Sequence, residues 1–271
     1  MTEPPAAWQD ASAGRPPLGD RGVHLWRAFL AAEPAALEAA AGLLSEDERT
    51  RAGRFHFEDH RRRFTLARGF LRTVLGLYLD IGPETVAFQY NRYGKPSLPP
   101  RLGDQKLCFN LSHSGDWALC AVTLGREIGV DIEKIQPHRA TAGIARRFFS
   151  PREVHALFAL PEHLRAAAFF RCWTRKEAYI KAKGRGLSIP LASFAVSLAP
   201  QQPAALIWTG DGTSEQPHRW SLDDIDLDDI ALNNVDADIH ASQGYAAALA
   251  VEGPQPDVRL WNWGSLPPPK G

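Results

Sequence analysis

Gly129-Val130-Asp131-Ile132-Glu133 sits near the middle of a chain of 271 residues, and its alternation reads as a short strand. Side chains along a strand point to opposite faces in turn. Asp131 and Glu133 therefore share one face, and Val130 and Ile132 share the other, where they can anchor in a core. Two carboxylates side by side repel. They are tolerated when exposed to water, when one is protonated, or when a cation sits between them. An Asp-x-Glu pair on an exposed surface is the common outcome. A pair facing a phosphate-bearing ligand would suit Mg²⁺, a hard cation that keeps several waters and needs few protein oxygens.

Downstream, Trp173-Thr174-Arg175-Lys176-Glu177-Ala178-Tyr179-Ile180-Lys181 lies in a helix expected over residues 161–183. Trp173, Glu177 and Lys181 recur at steps of four and so share a face, with Lys176 beside it. A Glu177–Lys181 surface pair needs no further role; a tryptophan one turn earlier would instead set the glutamate at the edge of a core. Upstream, residues 107–111 and 117–124 read as strands joined by a turn through Ser112-His113-Ser114-Gly115-Asp116. His113 there is either a structural turn histidine or an anion contact. The sequence holds neither a Gly-x-Ser-x-Gly elbow nor a His-Glu-x-x-His pair, so nucleophilic and zinc hydrolysis lack their usual signatures.

Two capping boxes, Ser45-Glu46-Asp47-Glu48 and Ser150-Pro151-Arg152-Glu153, open helices in the two halves. A long helix is expected over residues 59–79, with Phe64, Ala67, Leu71, Val74, Leu75 and Tyr78 on its apolar face. Arg61, Arg68 and Arg72 lie on another face, either a solvated stripe or one turned to a polyanion. Further strands are expected at 23–26, 86–90, 194–198, 205–209 and 244–251. The apolar runs Ala118–Val122 and Ala246–Val251 look like matching late strands of two halves. The divisions expected are a disordered tail at 1–22, an N-terminal half at 23–124, a C-terminal half at 125–252 and a C-terminal tail at 253–271, although Trp261 and Trp263 have the character of docking residues.

Composition narrows the function classes. Apolar residues make up 44% and charged residues 23%, an ordinary globular mix. Lys plus Arg number 31 and Asp plus Glu number 31, without the basic excess of a nucleic-acid binder. Residues 49–72 carry eight arginines against two acids, and residues 223–238 carry seven aspartates and no basic residue. The uncharged stretch 186–210 contains three prolines and reads as strand and loop, not as a membrane span. Cys108, Cys120 and Cys172 have no Cys-x-x-Cys spacing and are expected as reduced thiols, and the first residues do not resemble a secretory signal. A cytoplasmic protein is expected.

Taken in order, Arg51-x-x-Arg54-Phe55, Tyr93-Gly94-Lys95-Pro96, Phe109-Asn110-Leu111-Ser112-His113-Ser114, the 129–133 strand, Arg147-Phe148-Phe149-Ser150-Pro151-x-Glu153 and Trp173-Thr174-Arg175-Lys176-Glu177-Ala178 with Lys181 resemble the larger, surfactin-synthetase-activating type of 4′-phosphopantetheinyl transferase. The resemblance covers residues 23–252. It implies an α+β fold of two pseudo-symmetric halves, each a long helix on a small antiparallel sheet, with coenzyme A between them. It implies transfer of the phosphopantetheine arm of coenzyme A to a carrier-protein serine, with release of adenosine 3′,5′-bisphosphate.

Residue by residue, the resemblance assigns Mg²⁺ to Asp131, Glu133 and Glu177. It assigns phosphate contacts to Lys176 and Lys181, and the nucleotide end to Arg51, Arg54, Tyr93, Gly94, Lys95, Asn110, Ser112 and His113, with Ser112 beside His113 at the 3′-phosphate. Glu177 is the first choice for the base that takes the serine proton, and Glu133 the second. Some relatives have lysine where this chain has Glu48, so Glu48 is not carried over. The implied partners are acyl or peptidyl carrier proteins of fatty-acid, polyketide or nonribosomal-peptide synthesis, met near Arg146, Arg147, Phe148 and Phe149 by a monomer. Two other classes compete: another Mg²⁺-dependent phosphoryl enzyme such as a phosphatase, and a nucleic-acid module built on residues 49–72, whose binding would collapse with salt.

Overall fold

The computed structural model describes residues 7–10, 17–30, 33–100, 106–210, 217–227 and 244–265. In chain order the elements are β1 (Gln9–Asp10), β2 (Gly22–Phe29), α1 (Pro34–Leu43), α2 (Glu46–Gly53), α3 (Glu58–Leu79), β3 (Gln89–Tyr90), β4 (Pro96–Ser97), β5 (Leu107–Ser114), β6 (Trp117–Leu124) and β7 (Ile128–Lys134). They continue with α4 (Ala142–Phe148), α5 (Pro151–Ala159), α6 (Glu162–Lys183), β8 (Phe194–Val196), β9 (Leu206–Thr209), β10 (Trp220–Asp224), β11 (Tyr245–Glu252) and β12 (Asp257–Asn262). The chain is α+β and divides into two units, one of residues 1–89, 96–125 and 257–271, the other of residues 90–95 and 126–256.

The first unit is built on a five-stranded sheet ordered β1-β12-β2-β6-β5. The β2, β6 and β5 strands run antiparallel, whereas β12 lies parallel to β2 and β1 parallel to β12. The sheet is therefore mixed where a purely antiparallel one was expected. The apolar face of α3 packs on it: Leu66, Phe70, Leu71, Val74 and Leu75 join Trp26, Phe109, Cys120 and Val122 in one core. Each such side chain, taken fully from water, contributes roughly 1.5–3 kcal/mol. Asp80, in the left-handed region at φ 54°, ends the helix.

The expected arginine stripe on α3 is neither solvated nor turned to an external polyanion over its buried part. Arg68 and Arg72 are buried against Glu48, which the capping box places in the first turn of α2. Arg72 Nε donates to Glu48 Oε2 at 2.6 Å, and Arg68 holds Oε1. Burial works against ionising Glu48, but the Arg68 charge and the hydrogen bonds from Arg72, Ser45 and Arg68 outweigh it and hold its carboxyl below the ordinary range. Arg61 alone stays at the surface, paired with Glu58.

The second unit has a three-stranded antiparallel sheet, β10-β11-β7, and a separate β8-β9 pair. The long helix α6 lies on it, with Ala178, Tyr179 and Ala182 in a core shared with Ala248 and Ala250 of β11. The two alanine-rich runs compared in the sequence, in β6 and β11, both become interior strands, as suits residues buried on both faces.

Several expectations are corrected. Residues 253–271 are not simply a tail, because β12 completes the first unit's sheet and Trp261 stacks on Trp26 at 5.7 Å between centroids. Part of the 1–22 segment is ordered too: β1 pairs with β12, and Arg27 lies 4.2 Å over the Trp8 ring. The 86–90 strand shrinks to β3, after a 3₁₀ turn at Pro83–Thr85. His113 lies in strand β5, paired with Ala118, and the turn is only Gly115-Asp116. The helix α1 and strand β10 had no sequence expectation. Most of the acidic run 223–238 lies outside the described residues. Among the described residues, no helix is long and apolar enough to cross a membrane.

Candidate active site

On β7, Gly129, Asp131 and Glu133 share the face turned toward α6. The glycine explains how close the helix comes. A Cβ at Gly129 would overlap the Ala178 carbonyl oxygen and the Ala182 amide nitrogen, so only glycine lets the strand lie directly under the helix backbone. One strand pleat further on, Asp131 meets the side of α6 that carries Glu177 and Lys181. Lys181 Nζ donates to Asp131 Oδ1 at 2.6 Å and to the Val130 carbonyl at 3.3 Å. The Asp131 side chain is only 4% exposed, while Lys181 keeps 28%.

Glu177 is half-buried. Its carboxyl is pushed up to about 7, first by burial and then by the Asp131 charge, with Glu133 adding to the rise and Lys181 opposing it. The charges of Asp131 and Glu133 thus both act on Glu177, beside the Lys181 ammonium. Among the described residues, no three His, Cys, Asp or Glu side chains stand as a ready-made metal cage. The donor set nevertheless fits Mg²⁺: hard oxygens only, carboxylates whose mutual repulsion at Glu177 a dication would relieve, and an ion that takes one or two carboxylates and fills its other positions with water and phosphate.

Lys176 is corrected. It is wholly buried, and its three N–H donors go to the carbonyls of Leu191 (2.7 Å) and Phe194 (2.6 Å) and to Glu153 Oε2 (2.8 Å). Glu153 in turn caps α5 by accepting from Ser150 N at 2.7 Å, and takes Val196 N at 2.8 Å on its other oxygen. A lysine so enclosed ties α6 to α5 and β8 and has no donor left for a phosphate. Its neighbour Arg175 is spent similarly, on Asp224 at 2.8 and 2.6 Å.

The Lys95 ammonium donates to Glu127 Oε2 (2.9 Å), Ala182 O (2.9 Å) and Ile128 O (3.3 Å), all within the second unit. Tyr93 remains part-exposed, with a hydrogen bond to Ser188 chief among the causes that lower its phenol below the usual value. Gly94 holds φ 86°, which the turn requires of it.

In the first unit, Arg51 and Arg54 are exposed at the end of α2 and line an open hollow of about 1090 Å³ with Glu46, Asp47, Thr50 and Phe55. His113 is exposed, whereas Asn110 and Ser112 are buried. Strand alternation sends the Ser112 and His113 side chains to opposite faces of β5. Phe149 is also corrected: it is 2% exposed and packs on Phe169 in the second core, leaving Arg146, Arg147 and the half-buried Phe148 nearer the surface.

Sequence reading placed Gly129 in a strand and Glu153 in a capping box but gave neither a part in building the site. Their distant partners were not in view.

The family described as the 4′-phosphopantetheinyl transferase superfamily matches residues 127–250, and the one described as 4′-phosphopantetheinyl transferase, N-terminal, matches residues 30–124. The chain is 44% identical over 241 residues to the 4′-phosphopantetheinyl transferase HetI of Nostoc sp. (strain PCC 7120), covering 89% of this chain and 92% of that one. It is 38% identical over 177 residues to a 4′-phosphopantetheinyl transferase of Bacillus subtilis (65% and 75% of the two chains). To the transferase Sfp of Bacillus subtilis (strain 168) it is 36% identical over 161 residues (59% and 69%). With both family matches falling in order along the chain, and a relative this similar across nearly its whole length, the protein belongs to the 4′-phosphopantetheinyl transferases of the two-domain type.

Proposed function

We propose that the enzyme transfers the 4′-phosphopantetheine arm of coenzyme A to a serine hydroxyl of an apo acyl or peptidyl carrier protein, releasing adenosine 3′,5′-bisphosphate, with Mg²⁺ as the metal. The observation that carries this reading is the group of Asp131, Glu133, Glu177 and Lys181, in which Glu177 is raised to about 7. Serine Oγ forms a bond to the phosphorus next to pantetheine. The bond from that phosphorus to the bridging oxygen breaks, and the nucleotide leaves with the electron pair. Such a reaction asks mainly for positioning and charge neutralisation.

Asp131, Glu133 and Glu177 would hold Mg²⁺, which supplies positive charge to the pyrophosphate. Glu177, directly or through a metal-bound water, is the first choice to take the serine proton, and Glu133 the second. Lys181, the lysine of α6 that stays partly exposed beside the acids, supplies a point charge to phosphate. Arg51, Arg54, Tyr93, Gly94 and His113 are carried as contacts of the nucleotide end, with Asn110 and Ser112 shaping the strand behind His113. A monomer acting in the cytoplasm is part of the same reading.

Mass spectrometry of an apo carrier protein incubated with coenzyme A, Mg²⁺ and the enzyme tests it. A phosphopantetheine adduct on serine is the expected product. An unmodified carrier with phosphate released from coenzyme A would replace this reading with that of a phosphatase.

A further inference from the structure

The turn at residues 90–95 belongs to the second unit, although it lies in the N-terminal stretch of the sequence. Asn91 organises it: Oδ1 accepts from the amides of Tyr93 (2.9 Å) and Lys95 (3.0 Å), and Nδ2 donates to the Gly184 carbonyl at 2.7 Å. Gly184 is the left-handed residue that ends α6, at φ 63°, and a Cβ there would press on the Lys95 stem. The Lys95 ammonium then bridges three groups. Ala182 O is a terminal carbonyl of α6, Ile128 O is at the first residue of β7, and Glu127 precedes that strand. A cation on a helix's last carbonyls is favoured both by their unmet hydrogen bonds and by the helix dipole.

Ile128 is three residues before Asp131, and Ala182 is one residue after Lys181. We propose that Lys95 is a positioning residue for phosphopantetheine transfer: its ammonium fastens the end of α6 to the start of β7, and this fastening sets Lys181 and Glu177 against Asp131 and Glu133. The proposal rests on the transfer reading above, because it assigns Lys95 an effect on turnover and not on coenzyme A affinity. Its three bonds leave 17% of the Lys95 side chain exposed, little for a ligand to meet. The Asn91 bonds set the turn independently, so the fastening has two parts that can be loosened separately.

Two measurements on Lys95→Met decide it. Hydrogen exchange followed by mass spectrometry should show faster exchange over residues 181–184, with α3 and the first sheet unchanged. Steady-state transfer should show kcat lowered by about tenfold or more, as misplacement of catalytic groups does, while KM and the directly measured Kd for coenzyme A stay within about twofold, which separates positioning from binding. A raised Kd with kcat intact would overturn the proposal and return Lys95 to the nucleotide contacts. Unchanged exchange would overturn it as well.

Should Lys95→Met not fold, Asn91→Ala, which frees the Gly184 carbonyl, is read by the same two measurements, and exchange no faster than in the wild type overturns the idea. If the wild-type enzyme modifies no carrier protein, the transfer reading fails, and the exchange result still decides whether Lys95 fastens the two elements.

Discussion

At Glu177, burial and two acidic neighbours keep a carboxyl proton bound until about pH 7, against an ordinary 4.5 for an unfolded glutamate. Between those values the folded chain binds more protons than the unfolded one, so stability falls as pH rises through that window and is level above it. In the metal-free enzyme this loss is on the order of 1–3 kcal/mol, the lower part of that span reflecting solvent screening of a group that is only half-buried. Thermal unfolding in EDTA from pH 5 to 8 measures it. Glu177→Gln should flatten the profile, and Mg²⁺ should restore more stability at pH 8 than at pH 5. In the transfer assay Glu177→Gln should cost roughly 10²–10⁴-fold in kcat, the span of a lost general base. A near-normal rate would remove Glu177 from that role.

Lys176, its sequence neighbour, should behave differently. Lys176→Ala leaves Glu153 buried without its cation and should cost roughly 3–5 kcal/mol in urea unfolding, while Kd for coenzyme A in the folded fraction stays unchanged. A large rise in Kd would reinstate Lys176 as a phosphate contact.

At the scale of elements, stability and site geometry meet where β7 runs under α6. Gly129→Ala puts a methyl where backbone atoms of Ala178 and Ala182 already sit, and the strand must retreat. The expected cost is roughly 1–3 kcal/mol, as for overpacked cores, together with a fall in kcat because Asp131 moves away from Lys181. Denaturation and steady-state kinetics on one preparation would show whether the two losses travel together.

In the first unit the comparable joint is α2 on α3, through Glu48. Its depressed carboxyl contributes stability that is present above the ordinary 4.5 and is lost as pH falls below it. Glu48→Ala should destabilise by roughly 3–5 kcal/mol, since it strands Arg68 and Arg72 without their anion. The capping box and the arginine spacing were both plain in the sequence. What neither showed is that one glutamate caps a helix through its Ser45 bond and also neutralises two arginines on the next helix.

On the scale of the molecule, the last strand crosses back into the first unit. Deleting residues 257–271 removes β12, bares one side of β2 and takes Trp261 from Trp26. The first unit should then lose its near-ultraviolet tryptophan signal and become protease-sensitive, whereas a mere tail would leave both intact.

The long helices α3 and α6 and the central strands were legible because amphipathic spacing and apolar runs are local properties. The paired acids were legible because alternation alone puts Asp131 and Glu133 on one face. Strand β12 was not, because a six-residue strand among prolines and charges gains its stability only from the sheet it joins. By itself, then, the sequence determined the two long helices, most of the interior strands, the family and which acids could gather. Tertiary structure alone decided the fate of the cations. Lys95, Lys176, Arg68 and Arg72 differ little in local pattern from Lys181, yet four are enclosed by carbonyls and carboxylates from distant segments, and Lys181 keeps a side open to solvent. Spacing assigns a side chain to a face, but burial and pairing depend on which remote segment covers that face, and that is a property of the packed chain.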